Sequence, residues 1–430
     1  MSWSGGNDSV WPQPGLAGAI QHGALAQAAS VTVTFAAGPP HSTPQPPTAL
    51  EDLRRLARDA YAVGEVQEAH DLQQQVIAAA RAARAQTADD HLFLGLMLYG
   101  MGRLEEGVAT LREGLGFDPA NPAMHENLGV FLLALNDLPG SIAACQQALA
   151  HGSDSPNVHD CLADAFNRLG RVDLAVQSGR AAMEAKDRKF GSRPPLVAIP
   201  AGLPPAFNVL NPAENVIAYC LWGNEPRYQV PLLENVRLQP HLFPGWTIRV
   251  YHDATVDPSY LDTLSRGGAQ LRAMALPPNQ PVHRKLLWRF DVISDPTVKR
   301  FLCRDADSLL SVKERVAVDA WLQSYCYFHA MRDWYSHTDL LLAGMWGGVG
   351  NVLPDLPTLL GAYTAWRVEN DHVDQDVLAE TVWPTIRHSV LIHDSIFAPC
   401  LGSVPFPPYG QLQPGFHIGQ NAFMHFAPAS

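Results

Sequence analysis

At 430 residues, with 47% hydrophobic and 17% charged side chains, the chain is long enough for two or three domains and too apolar to be disordered throughout. A net charge of −12 without a concentrated basic face argues against a nucleic-acid binder. No apolar stretch reaches the roughly 18 residues of a transmembrane helix.

The first residues, Met1 to Asp8, lack the positive region of a signal peptide. The six cysteines (145, 161, 220, 303, 326, 400) are scattered, with no C-x-x-C pair, and read as free thiols, mostly buried, in a reducing compartment. A cytoplasmic protein is the expectation.

Residues 1–48 are rich in Gly, Ala, Pro, Ser and Gln, with one acid and no Lys or Arg. Such a composition cannot offset ordering entropy, so a disordered tail is predicted. From Ala49 to 190 the texture changes to helical runs separated by Gly-Arg or Asn-Asp turns. Gly102-Arg103, Asn136-Asp137 and Gly170-Arg171 recur every 34 residues, as do Leu94-Gly95, Leu128-Gly129 and Leu162-Ala163. Twelve residues after each small residue come Gly107, Ser141 and Ala175, where closely packed helices tolerate little side chain. A further unit around Ala60-Tyr61, with Gly64-Glu65 at its turn, precedes them. The pattern resembles the tetratricopeptide repeat, a helix-turn-helix unit that buries its apolar face only against neighbours. Such arrays commonly bind peptides or proteins on a concave surface; packing on a second domain or forming a homodimer are the alternatives.

Residues 191–213 hold six prolines and read as a stiff, partly extended linker, with Leu196, Val197 and Ile199 able to lie on a domain surface. Residues 214–430 then alternate strands and helices, predicting α/β with a mostly parallel sheet. Strands are expected at 215–222, 246–251, 269–274 and 297–303, and helices at 228–239 and 283–294. The fourth strand ends in Arg304-Asp305-Ala306-Asp307. Two acids at i and i+2 can aim at one point, and hard cations take a few protein oxygens plus phosphate and water. An acidic turn in solvent is the alternative.

Beyond the acids lie Trp321, Met331-Arg332-Asp333, His337, Gly344-Met345-Trp346-Gly347, Asp374-Gln375 and His393-Asp394-Ser395, in that order. With the Asp-x-Asp after the fourth strand, this set resembles the metal-dependent glycosyltransferases of the GT-A type across about residues 214–420. Trp334 is a departure, standing where His would be expected. The whole fold is therefore expected to be α plus α/β: a tetratricopeptide array, then a Rossmann-like GT-A domain with a mixed sheet.

The resemblance implies a UDP- or GDP-sugar donor and Mn²⁺ or Mg²⁺ held by Asp305, Asp307 and His393. It assigns the donor to Lys285, Arg289, Asp291, Arg304, Asp305, Gly344, Met345 and Trp346. The acceptor falls to Arg332, Asp333 and His337, and the reacting centre to Asp374 and Gln375. For several of these a plainer role stays open. Lys285 and Arg289, four apart on one helix face, can be a solvated basic face. Trp346 can be a core residue at a tight turn, Asp374 an N-cap, and His393 an ordinary surface or core histidine. The function expected is transfer of a sugar to a protein or peptide presented by the repeats. A repeat scaffold whose transferase domain is inactive is the competing expectation, a glycan or lipid-linked sugar acceptor in place of a protein is another, and a phosphotransfer enzyme is a remote further one.

Overall fold

The computed structural model describes residues 49–62, 64–278, 280–364, 372–410 and 416–423; the expected tail over 1–48 lies outside them. Eight helices form four antiparallel pairs: α1 (Ala49–Ala62) with α2 (Val66–Ala83), α3 (Ala88–Gly100) with α4 (Leu104–Leu115), α5 (Pro122–Ala134) with α6 (Leu138–Ala150), and α7 (Pro156–Arg168) with α8 (Val172–Phe190). Each turn within a pair carries one left-handed residue, Gly64, Gly102, Asn136 and Gly170, with φ of 88, 70, 60 and 69°. Glycine adopts that conformation without steric cost and asparagine tolerates it, which explains the recurring turn chemistry. Helix starts are fixed by side chains: Thr87 and Asp90 form a reciprocal capping box, Asn121 caps Met124, and Asp137 caps Gly140.

The small positions behave as contact points. A methyl group on Gly107 would lie 2.0 Å from the ring of Phe131, and one on Gly129 2.5 Å from Cys145 Sγ. Ser141 Oγ donates to the Gly129 carbonyl at 2.8 Å. First helices of consecutive units touch, α3 with α5 and α5 with α7, so they form the inner row of the array.

The second half is a seven-stranded mixed sheet flanked on both faces by helices. Its elements in chain order are β1 (Asn215–Leu221), α9 (Pro226–Leu242), β2 (Thr247–His252), α10 (Pro258–Arg266), β3 (Gln270–Ala273), a run of 3₁₀ turns over Val282–Ser294, β4 (Arg300–Arg304) and α11 (Val312–Leu322). Then come β5 (Phe328–Arg332), β6 (Met345–Val349), α12 (Leu356–Ala362), α13 (Val373–Val377), a π-turn over Leu378–Val382, α14 (Trp383–Ile386) and β7 (Val390–Asp394). The strand order is β3-β2-β1-β4-β6-β5-β7, with β6 alone running against the rest.

Both faces of the central strands are buried, as the continuous apolar runs require. Val216, Ala218, Cys220, Phe301 and Cys303 pack under the 3₁₀ run and α12–α14. Ile217, Tyr219, Leu221 and Leu302 pack against α9, α10 and α11 through Leu232, Val236, Leu264 and Val318. The tail returns to the domain: Phe406 and Ile418 join Ala317, Met331 and Met345 in a small cluster.

The 283–294 segment departs from the expected regular helix. At three residues per turn, positions four apart point about 120° from each other rather than sharing a face. Lys285 and Arg289 therefore part company. A second departure concerns how separate the halves are. Phe190, the last residue of α8, sits in the main core of the sheet domain, and Phe397, after β7, fills a notch at Gly179 of α8 beside Met183.

Candidate functional site

In a parallel sheet the crevice outside the carboxyl ends of the strands is the natural ligand site. Here that edge gathers the loops after β1, β2 and β4, and its centre is the acid pair. β4 ends at Arg304, and the chain turns at once: the Ser308 N–H and Oγ both donate to the Asp305 carbonyl. Because the strand has ended, the two acids diverge to separate partners. Asp305, 39% exposed, receives Nη1 of Arg289, while Asp307 receives Arg227 Nη2 at 2.9 Å and Nε at 3.2 Å. Arg227 stands at the start of α9, the helix that follows β1. Burial, then repulsion from Asp305, raises the Asp307 pKa despite that arginine.

Arg289 is buried and spans two carboxylates, giving Nη1 to Asp305 and Nη2 to Asp374. Burial opposes its charge, but Asp305 and Asp374 outweigh that and hold its pKa up. Asp374 itself is 3% exposed, and burial raises its pKa. It occupies the second position of α13, since His372 is the N-cap; its Oδ1 accepts from the Gln375 N–H at 2.9 Å. The buried Gln375 Oε1 accepts no hydrogen bond among the described residues, while Gln375 Nε2 contacts His372 Nδ1 at 3.2 Å. Gly344 completes this group: a Cβ there would lie 1.8 Å from Asp305 Oδ2, so only glycine lets the acid adopt its position. Arg289, Asp305, Asp307, Gly344 and Asp374 thus come together.

Other expected residues lie elsewhere. Lys285 pairs with Asp253 at 2.6 Å, with its ammonium over the rings of Trp222 and Trp288, at the β1–β2 end of the same edge. Asp291 is exposed, with its charge facing Asp295, Arg249 and Arg272 rather than the acid pair. Arg304, one residue before Asp305, alternates to the opposite face, pairs with Glu314 of α11 and donates Nη1 to the Trp346 carbonyl at 3.0 Å. Trp346 is fully buried, edge-on to Phe290 and Phe301, so it is a core residue and offers no floor to a sugar. Met345 is buried in the cluster with Ile418.

The expected acceptor residues are scaffold. Arg332, 1% exposed, donates to the carbonyls of Asp339 and Leu340 at 3.0 and 2.7 Å. Asp333 takes Lys313 Nζ and the Ile418 N–H, and its own N–H donates to His337 Nδ1 at 2.9 Å. Burial, then His417, pushes the His337 pKa down to about 3.

Asp305 and Asp307 suit a hard divalent cation, which is commonly held by one or two carboxylates together with substrate phosphate and water. The donor set expected for it is incomplete. His393 is inside β7, paired across to Met331, 2% exposed, with Nδ1 on His329 Nε2 at 2.9 Å. Three strand spacings, roughly 14 Å, separate β7 from β4. No group of three or more His, Cys, Asp or Glu is arranged to hold a metal among the described residues. Sequence reasoning missed Arg227, Asp253 and Glu314. The βαβ rule could have pointed to Arg227, because the helix after β1 must begin at the carboxyl edge; Asp253 and Glu314 carry no local signal.

Fold and site together define a helical repeat array joined to a mixed α/β sheet with an acid pair at its carboxyl edge. No protein-family model matches the chain, and none of the curated proteins does. Among solved structures, MamA from Desulfovibrio magneticus aligns at 14% identity and TM-score 0.29, over 32% of this chain and 75% of that one. A variant of the Thermobaculum terrenum O-GlcNAc transferase aligns at 19% identity and TM-score 0.34, over 52% of this chain and 41% of that one. YrrB, a TPR protein described as having an unusual peptide-binding site, aligns at 11% identity and TM-score 0.29, over 32% of this chain and 69% of that one. Likenesses this slight carry no argument about activity. No described helix is long and apolar enough to cross a membrane.

Proposed function

We propose that the chain is a glycosyltransferase that moves a sugar from a UDP- or GDP-sugar to a protein or peptide acceptor. The observation that supports it most is the group at the end of β4: Asp305 and Asp307 with Arg227 on one side, and Arg289 joining Asp305 to Asp374 on the other. A leaving nucleoside diphosphate needs positive charge near its oxygens, and Arg227, 35% exposed beside Asp307, can offer a planar fork of donors to it. Asp305 and Asp307 would hold Mn²⁺ or Mg²⁺, which would supply Lewis acidity toward a leaving diphosphate. His393, three strands away in β7, stands apart from them. Asp374, a buried acid joined to Asp305 through Arg289, is the carboxylate assigned to the reacting centre, and Gln375 beside it has a carbonyl oxygen that accepts no hydrogen bond among the described residues. The inner row of repeat helices is the surface assigned to the acceptor.

The purified full chain incubated with UDP- and GDP-sugars and Mn²⁺ tests this. Binding or hydrolysis of at least one donor is expected, with a loss of about a hundredfold or more in Asp305→Asn and Asp307→Asn, the scale of a lost electrostatic contact to a developing charge. No binding and no hydrolysis of any donor at full metal loading would overturn it. The scaffold reading has one observation in its favour: both acids are already neutralised by arginines, which is a stable arrangement without any ligand. It predicts that Asp307→Asn leaves peptide binding by the repeats intact and that no turnover exists to lose.

A further inference from the structure

The last repeat does more than abut the sheet domain. Lys186 of α8 is 12% exposed; its Nζ reaches Asp160 of α7 at 3.0 Å, Asp339 Oδ1 at 2.7 Å and the Thr338 carbonyl at 3.2 Å. Thr338 Oγ1 donates to Asp160 Oδ1 at 2.7 Å. Burial works against the Lys186 ammonium, yet Asp160 and Asp339 outweigh it and keep it charged. These contacts hold the middle of the β5–β6 loop, residues 333–344. From inside the sheet domain Arg332 grips the adjoining stretch through the Asp339 and Leu340 carbonyls, so Asp339 is held from both sides. The loop then runs through the Met345 N–H to Leu342 carbonyl bond at 2.9 Å and ends at Gly344, against the carboxylate of Asp305.

α8 holds two more segments of the sheet domain. Asp187 accepts from Trp383 Nε1 at 2.7 Å and Arg387 Nη2 at 2.8 Å, just beyond the helix carrying Asp374. Arg180 donates to the carbonyls of Phe397 and Ala398 at 2.9 and 2.6 Å, after β7. A single repeat helix therefore ties down the chain before Asp374, at 338–339, and after it, at 383–387 and 397–398.

We propose that Asp160 and Lys186 are positioning residues for the acid pair: they clamp the β5–β6 loop so that Gly344 seats Asp305. Only the turnover arm of the test rests on the glycosyltransferase reading; the clamp itself does not.

The full chain carrying Asp160→Asn, Lys186→Met or Lys186→Arg is compared with the parent by amide hydrogen exchange and by donor turnover with Mn²⁺. Exchange over residues 338–345 is expected to rise about tenfold or more in Asp160→Asn and Lys186→Met, the factor set by losing one hydrogen bond to a charged group. Exchange in α1–α4 stays at the parent rate. Turnover per donor bound falls by a similar factor, and Lys186→Arg retains both parent values. Unchanged exchange over 338–345 in both variants overturns the proposal, as does raised exchange with parental turnover. A parent that turns over no donor overturns the glycosyltransferase reading alone, since the exchange arm still decides the clamp. Asp339→Asn, which alters only the loop's side of the clamp, gives the same decision if the repeat variants do not fold.

Discussion

At the residue scale, the centre of the molecule is one buried guanidinium shared by two carboxylates. Arg289 donates to Asp305 and Asp374 together, and Gly344 leaves room for the first of them. Gly344→Ala is therefore expected to keep the fold while displacing the Asp305 carboxylate; donor binding measured by calorimetry should weaken with little change in melting temperature. His337 gives a second expectation. Its Nδ1 accepts the Asp333 N–H, a role that protonation removes, and its folded pKa is about 3 against an ordinary value near 6.5. A histidine whose pKa is depressed on folding contributes stability that is present above the unfolded value and lost as pH falls toward the folded one. Between pH 6.5 and 3 stability should thus decline, by about 2 kcal/mol at pH 5 from this residue. Urea unfolding at pH 7 and pH 5 measures it, and His337→Gln should show a smaller pH dependence than the parent.

At the element scale, the repeat helices pack through small residues whose spacing is visible in the chain. Gly107 meets the Phe131 ring, which is fully buried. Gly107→Ala should cost about 1–3 kcal/mol by overpacking, read as a lower urea midpoint with an unchanged slope. The strands follow the same logic of period: 215–221, 247–252, 270–273 and 300–304 coincide with apolar runs seen in the sequence to within a few residues. The 282–294 segment does not, because its apolar residues are compatible with either a 3₁₀ or an α period and only packing over β1 and β4 selects one. That selection moved Lys285 to Asp253 and Arg289 to Asp305.

At the scale of the whole molecule, the repeats and the sheet share buried surface rather than a linker alone. Phe190 lies in the sheet domain's core, and Phe397 is enclosed by Gly179 and Met183 of α8. A chain beginning at residue 191 would expose Phe397 and lose the Asp187 and Lys186 anchors. It is expected to be poorly soluble and to bind a hydrophobic dye, while the full chain stays dispersed; light scattering and dye fluorescence distinguish the two.

Local rules sufficed for the repeat period, its turns and caps, the strand runs and the acid pair after β4, because each depends on neighbours within one helix turn or one strand. Gly344 and Asp374 came into view only through the ordered set of motifs that resembles the GT-A type, and their meeting with Arg289 belongs to the folded chain. What local rules could not decide was orientation across long separations. Whether Trp346 faced a sugar or a core, and whether Arg304 turned toward Asp305 or toward Glu314, depended on which face of β4 and β6 each side chain took in the assembled sheet. Whether His393 met the acids depended on β5 and β6 lying between β7 and β4. And nothing in the spacing of Asp160, Lys186 and Asp339 announces their meeting, since a contact between residues more than 150 positions apart exists only once both halves have folded against each other.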